Sequence, residues 1–391
     1  MRCRGGVAVL VLALLGLLSL ASLVAWQGRP QAVHDDGVTQ RLMQARSALI
    51  EYAVSYPQNY HSASSGPGKF PCPDSNGDGN SGPRCPALAV GLLPRDFATS
   101  LGAIQELQRE TSTATEPLWW VVAAAHRNRP APSGSPSHAM VLNSDTVPLL
   151  TLDYRDDVIG LVIAPGPALA GQTRASGTLR LEDYLEGENA DGDADFSRSA
   201  GNDRVVAIRW HDVMPLVERQ AVAAVRAAVL RYHGDHGRFP YLGKLDALDS
   251  AGDLPCSNCQ VRGWVAVQRY RAGAGAVSHQ HCADALGAAA LQPAVDMPAW
   301  VVRNFWHTRV WLHLADAGCG APPQVDGQAV HAVFVGVGPP LDDPPSGVRQ
   351  SRSVVALEHY LDHTANTDGD HRYTRLTGGN DTWLIALQGA P

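Results

Sequence analysis

The chain has 391 residues, of which 45% are hydrophobic and 18% charged, and its formal net charge is −7. At roughly 100–200 residues per domain this length suggests two domains. The composition is that of a folded chain, and a negative balance with no basic stripe excludes the electrostatic footprint of a nucleic-acid-binding protein.

In chain order, Arg2 and Arg4 precede an uncharged run from Gly5 to Trp26. About 20 apolar residues in a helix rise roughly 30 Å, the thickness of a bilayer core. Positive charge before such a run orients the N-terminus to the cytoplasm and the remainder outside. The run therefore predicts an uncleaved anchor, with a cleaved secretory signal peptide as the alternative. It is longer than the usual apolar core of a signal peptide, and no A-x-A site follows it. The expected placement is the inner membrane, single-pass, with the bulk of the chain periplasmic.

Beyond Pro30, the apolar residues Leu42, Ala45, Leu49 and Tyr52 or Ala53 recur at helical spacing, so a helix is predicted up to Pro57. Cys72 and Cys85 then bracket a Gly-rich loop with no other cysteine near them, which predicts a disulfide between them. Cys256, Cys259, Cys282 and Cys319 complete an even set of six. They allow three pairings, and disulfides are preferred there over a zinc or redox reading of the CxxC.

The chain also repeats itself. Ala48-Leu49-Ile50-Glu51-Tyr52 corresponds to Ala228-Val229-Leu230-Arg231-Tyr232, and Gly68-Lys69-Phe70-Pro71 to Gly237-Arg238-Phe239-Pro240. Trp119–Val122 resembles Trp300–Val302, and Leu181–Ile208 aligns with Leu357–Ala386 through Leu-Glu-x-Tyr-Leu, an Asn/Asp/Gly cluster and a late Asn-Asp. Two tandem copies are therefore predicted: residues 1–29 as stub and anchor, 30–214 as a first module and 215–391 as a second.

An apolar helix that runs on as an amphipathic one, ends Ala-x-x-x-Tyr and is followed by Gly-x-Phe-Pro resembles the type IV pilin and type II secretion pseudopilin class. Phrases such as WWVVAAAHRN, YLEGEN and GNDR resemble prepilin-like proteins of the same group. Val11 stands where such a leader carries Glu. The resemblance implies an α+β fold: an N-terminal transmembrane helix, then two tandem pilin-like modules, each a long helix packed on a small antiparallel sheet. It also implies a non-enzymatic structural or assembly component of a type II secretion or type IV pilus system. Its partners would be the membrane and other envelope or pilin-like proteins, reached through the N-terminal helix, with no nucleic acid. A stationary envelope binding module is the alternative, and an exported hydrolase a further one.

The chemistry-bearing candidates are acidic loops. Asp74, Asn76 and Asp78 fit the opening of a calcium loop, D-x-N-x-D-G, although Cys85 stands where the bidentate Glu of an EF-hand belongs. Asn189 with Asp191, Asp193 and Asp195, and Asn366 with Asp368 and Asp370, form two further clusters. These carboxylates are candidate calcium ligands, and turn formation is the competing use of the same residue types. Calcium is the only cofactor suggested. Fifteen histidines, two thirds of them in the second half, show no H-E-x-x-H pair, and most are expected in loops or at the surface; His307 and His313 flank Trp311 in a strand-like or amphipathic segment. No G-x-S-x-G elbow or P-loop occurs, so no catalytic residue is assigned.

Overall fold

The structure is a computed structural model. It describes residues 37–56, 66–81, 85, 89–95, 117–128, 141–174, 179–240, 242–243, 262–265, 295–315, 321–342, 347–352, 354, 356–368, 370–375 and 384–387. The apolar run 5–26, the CxxC of Cys256 and Cys259, and Cys282 and Cys319 lie outside these residues.

The first helix, α1, covers residues 37–56. Its buried residues Leu42, Ala45, Leu49, Tyr52, Ala53 and Tyr56 fall on one face, at three- and four-residue spacing. The second, α2 (Trp210–His236), ends at Gly237, whose φ of 67° is a left-handed cap that costs a glycine little. At its start Asp212 accepts from the Arg209 amide at 2.7 Å and pairs with Arg46 of α1 at 2.6 Å. Gln220 of α2 donates to the Val54 carbonyl of α1 at 2.9 Å.

The first half contributes β1 (Ala89–Leu92), β2 (Trp119–Val122), β3 (Leu150–Leu152), β4 (Arg155–Ala164), β5 (Asp195–Phe196) and β6 (Arg204–Arg209). The long β4 is the hub, pairing antiparallel with β2, β3 and β6, while β3 pairs parallel with β5. In the second half β7 (Leu242–Gly243), β8 (Arg262–Val265), β9 (Val310–Leu314), β12 (Ala332–Gly336) and β14 (Leu384–Leu387) form one sheet, in the order β14-β12-β9-β8-β7. A smaller sheet joins β10 (Gln324–Val325), β11 (Gln328–Ala329) and β13 (Arg372–Tyr373). Two short helices, α3 (Ala299–Arg303) and α4 (Thr364–Thr367), complete the regular elements.

Successive residues of a strand face opposite sides, and here both sides are buried. Trp120 and Val122 of β2 join α1, α2 and residues of the second sheet, such as Leu312 and Phe334, in one continuous cluster. Trp119 and Val121 face away from it, into a cluster closed by Leu152, Leu185 and Phe196. The outer face of the second sheet is closed in the same way around Trp311, Tyr360 and Tyr373.

Several expectations are corrected. The predicted fold, an N-terminal transmembrane helix followed by two pilin-like modules of a long helix on a small antiparallel sheet, is not what is found. No helix among the described residues is long and apolar enough to cross a membrane. The chain is instead a mixed α/β structure, rich in sheet and with parallel pairs at β3–β5 and β10–β13. Its two long helices share one core with both sheets rather than each owning a module. The membrane, single-pass and pilin-like descriptions, and the inner-membrane placement, are corrected on that finding, while the apolar run 5–26 itself lies outside the described residues. The residues on either side of the expected boundary, Met214 and Pro215, both lie inside α2.

The match of Trp119–Val122 to Trp300–Val302 also fails. The first is a strand, whereas Trp300–Val302 lies in α3. Pro298 opens that short helix and the Asn304 side chain closes it, donating to the Trp300 carbonyl at 2.9 Å.

Candidate functional site

The Gly-Lys-Phe-Pro turn of the first half is stitched to the end of β2. The Phe70 amide donates to the His126 carbonyl at 2.6 Å, the Asn128 amide to the Phe70 carbonyl at 2.8 Å, and Trp120 Nε1 to the Pro71 carbonyl at 3.0 Å. Lys69 is buried here, with Nζ donating to the Ala125 carbonyl, and burial followed by the charge of Arg127 lowers its pKa to about 7. Burial lowers His126 to about 3, and its Nδ1 donates to the Gly68 carbonyl at 3.0 Å. Cys72 and Cys85 are joined in a disulfide, with their Cα atoms 5.5 Å apart.

The carboxylates read as calcium candidates are engaged in closing their own loops. Buried Asp74 accepts from the amides of Asn76, Gly77 and Gly79 at 3.1, 2.7 and 2.7 Å. Exposed Asp78 accepts from the Asn76 side chain and the Asn80 amide. Asp191 and Asp193 accept from the amides two residues on, and Asp195 accepts from the Thr151 hydroxyl. Asp368 and Asp370 repeat the two-residue pattern. Glu188, Asp191 and Asp193 bring one oxygen each to within 4.8 Å of one another, all exposed.

These loops belong to a clasp that occurs twice. In the first half Asp153, with φ 52°, accepts from the Arg198 amide at 3.0 Å and pairs with its guanidinium at 2.6 Å. In the second, Asp326, with φ 51°, accepts from the Arg375 amide at 3.2 Å and pairs with its guanidinium at 3.1 Å. Buried Asn189 bridges the amide and carbonyl of Ser197, and buried Asn366 does the same for Thr374. Tyr184 and Tyr360 close 3-10 turns with nearly identical backbone angles, and each carries an arginine over its ring, Arg174 and Arg352. Under the first clasp, Asp203 accepts from the Glu186 amide and the Asn189 side chain. Burial, with the neighbouring Glu186 charge adding to it, raises Asp203 to about 6.

The two copies of the clasp differ at the turn they present and in the side chains behind it. At the two-residue β3–β4 loop the clasp presents Asp153-Tyr154, both with positive φ, and Tyr154 is fully exposed. At the matching β10–β11 loop it presents Asp326-Gly327.

The second difference is inside. In the second half Trp311 Nε1 donates to the Tyr373 hydroxyl at 3.5 Å, that hydroxyl lies 3.1 Å from His313 Nδ1, and His313 Nε2 lies 3.4 Å from His371 Nδ1. The shared clasp matches Phe196 with Tyr373 and Ala194 with His371: the Asp153 and Thr151 amides donate to the carbonyls of Phe196 and Ala194, and the Asp326 and Gln324 amides to those of Tyr373 and His371. On the strand beside the hub, Trp119 and Val121 stand where Trp311 and His313 do. The first half thus builds this corner without His or Tyr, and Trp119 Nε1 has no hydrogen-bond partner among the described residues. Burial, with Arg262 and His371 adding to it, lowers His313 to about 3, and burial raises Tyr373 to about 12. The sequence places most histidines in loops or at the surface; among the described residues His126, His307 and His313 are the buried ones. The available signal was the alternation of Trp311 and His313 along one strand face.

No family model, curated protein or solved structure matches the chain.

Proposed function

We propose that the protein is a non-enzymatic binding and assembly protein, with Tyr154 as its principal contact residue. The observation that carries this reading is the conformation of that one side chain. A bulky residue in the left-handed region costs roughly 1–2 kcal/mol, and the matching turn avoids the cost with Gly327. Folding gains nothing from Tyr154, because its ring is fully exposed. An aromatic ring held out at a strained position serves an encounter with another surface, and tyrosine is among the residues that dominate binding energies at protein interfaces.

The surroundings support a contact site. Asp153, bound to Arg198, braces the base of the turn, which limits the ordering cost of binding. Val147 and Leu149, on the approach to β3, are also exposed. The partner this tip suits is a protein surface with a pocket for one aromatic ring, beside groups that can pair with Arg155 and Asp156.

The test is a photocrosslinking residue placed at Arg155 in the native cell, with Tyr154 intact or changed to Gly. A defined adduct that disappears in Tyr154→Gly, while the protein remains folded, supports the reading. The same adducts in both backgrounds, or none in either, would refute it.

A further inference from the structure

We propose that His313 and His371 chelate a divalent transition-metal ion of the zinc class at the outer corner of the second sheet. This site is separate from the Tyr154 tip and does not depend on the reading given for it.

Val121, Ala194 and Phe196 build the same corner in the first half, so the fold does not require polar groups there. Placing an imidazole in a fully buried strand position costs stability unless something repays its desolvation. His313 is 0% exposed, and its ring is directed at a second imidazole rather than at a backbone group.

His313 Nε2 and His371 Nδ1 are 3.4 Å apart, with ring centroids 5.2 Å apart and planes inclined at 44°. That separation is longer than an ordinary hydrogen bond from nitrogen. It matches the edge of a ligand tetrahedron around zinc, about 3.3–3.4 Å for zinc–nitrogen bonds of about 2.0–2.1 Å. Two imidazoles favour zinc, copper or nickel over calcium or magnesium, which prefer oxygen ligands.

A metal-bound histidine usually donates its other ring N–H to a fixed oxygen. Here the Tyr373 hydroxyl lies 3.1 Å from His313 Nδ1 and is itself held by Trp311 Nε1. With Nδ1–H directed to that oxygen, the Nε2 lone pair faces His371. His371 is only partly buried, so the remaining ligand positions open toward solvent. Charges near Tyr373 are mixed: Arg262 is positive, while Asp368 and Asp370 are negative.

The experiment is zinc titration of the full chain against a chromophoric competitor, comparing wild type with His371→Ala. Tyr373→Phe and His313→Val, which reproduce first-half residues, form a second set, and circular dichroism checks the fold of each variant. The expected result is one high-affinity equivalent in wild type that His371→Ala lacks, and binding weakened about tenfold to a hundredfold in Tyr373→Phe. A wild-type chain that binds no zinc, or a folded His371→Ala that binds as many equivalents as tightly, overturns the proposal. His371 is partly exposed, so its variant keeps the test decisive even if His313→Val fails to fold.

Discussion

Arg352 Nε lies 3.0 Å from Asp145 Oδ1, across 207 positions of sequence, and joins the two halves of the chain. Asp145 sits in the Asn-Ser-Asp-Thr turn, where the Thr146 amide donates to the Asn143 carbonyl and the Asp145 amide to the Asn143 side chain. Arg309 Nε reaches its other oxygen at 2.7 Å. The same Arg352 donates to the carbonyls of Gly338 and His359. Asn304, from the second half, accepts from the Leu142 amide and from the Asn143 side chain. The turn is thus a plug of the first half seated in a socket of the second.

Removing the plug's charge leaves two part-buried guanidiniums without their carboxylate. Asp145→Ala is expected to lower stability by about 2–4 kcal/mol, less than a fully buried pair because all three side chains keep some solvent contact. Urea unfolding measures it. A double-mutant cycle with Arg352→Ala should give a coupling of about 1–3 kcal/mol, and a coupling near zero would mean that the pair does not join the halves.

Asp203 makes stability depend on pH. Its folded pKa is raised to about 6 from 3.8, by burial first and by the Glu186 charge. The contribution of this group is therefore fully present below its unfolded pKa and is lost as pH rises through about 6. Asp203→Asn should flatten the thermal unfolding profile between pH 4 and pH 6 and should be more stable than wild type at pH 7.5, about 1.5 units above that pKa. Parallel profiles for the two proteins would count against the assignment.

The turn positions can be exchanged. Tyr154→Gly is expected to stabilise the fold by roughly 1 kcal/mol, because it relieves a left-handed bulky residue. Gly327 has φ 79° and open space around the position a Cβ would take, so Gly327→Ala should cost roughly 1 kcal/mol through the backbone alone. Chemical denaturation of both variants provides the comparison. Opposite signs are expected.

The Cys72–Cys85 bond closes a loop with a sequence separation of 13. Loop-closure entropy for a ring of this size contributes roughly 3 kcal/mol. The double variant Cys72→Ser with Cys85→Ser should unfold at correspondingly lower urea, and a reductant should then have less effect on it than on wild type.

Part of this architecture was legible in the sequence because it is local. The three- and four-residue spacing of Leu42, Ala45, Leu49 and Tyr52 marks the buried face of α1. The recurrence of Leu-Glu-x-Tyr-Leu and of the Asn/Asp clusters marks the acidic loops of the clasp, whose internal bonds span two to eight residues, whereas the Asp153–Arg198 and Asp326–Arg375 bonds that fasten it span 45 and 49. The rest was not legible. Trp300 shares a residue pattern with Trp119 but lies in a helix, while Trp311 takes the place of Trp119 through strand pairing. A fold class drawn from resemblance also assigned each helix to its own sheet, whereas both helices enter one core to which both sheets contribute.

The sequence by itself determined α1, α2 and the repeated acidic loops, because their energies depend on neighbours a few residues apart. Only the tertiary structure decided that Asp145 meets Arg352, that His313 faces His371, and that Tyr154 stands outside. Each of these depends on strand register or on the packing of one half against the other. A side chain's partner across 58 or 207 residues follows from where the backbone is carried, not from the residues beside it.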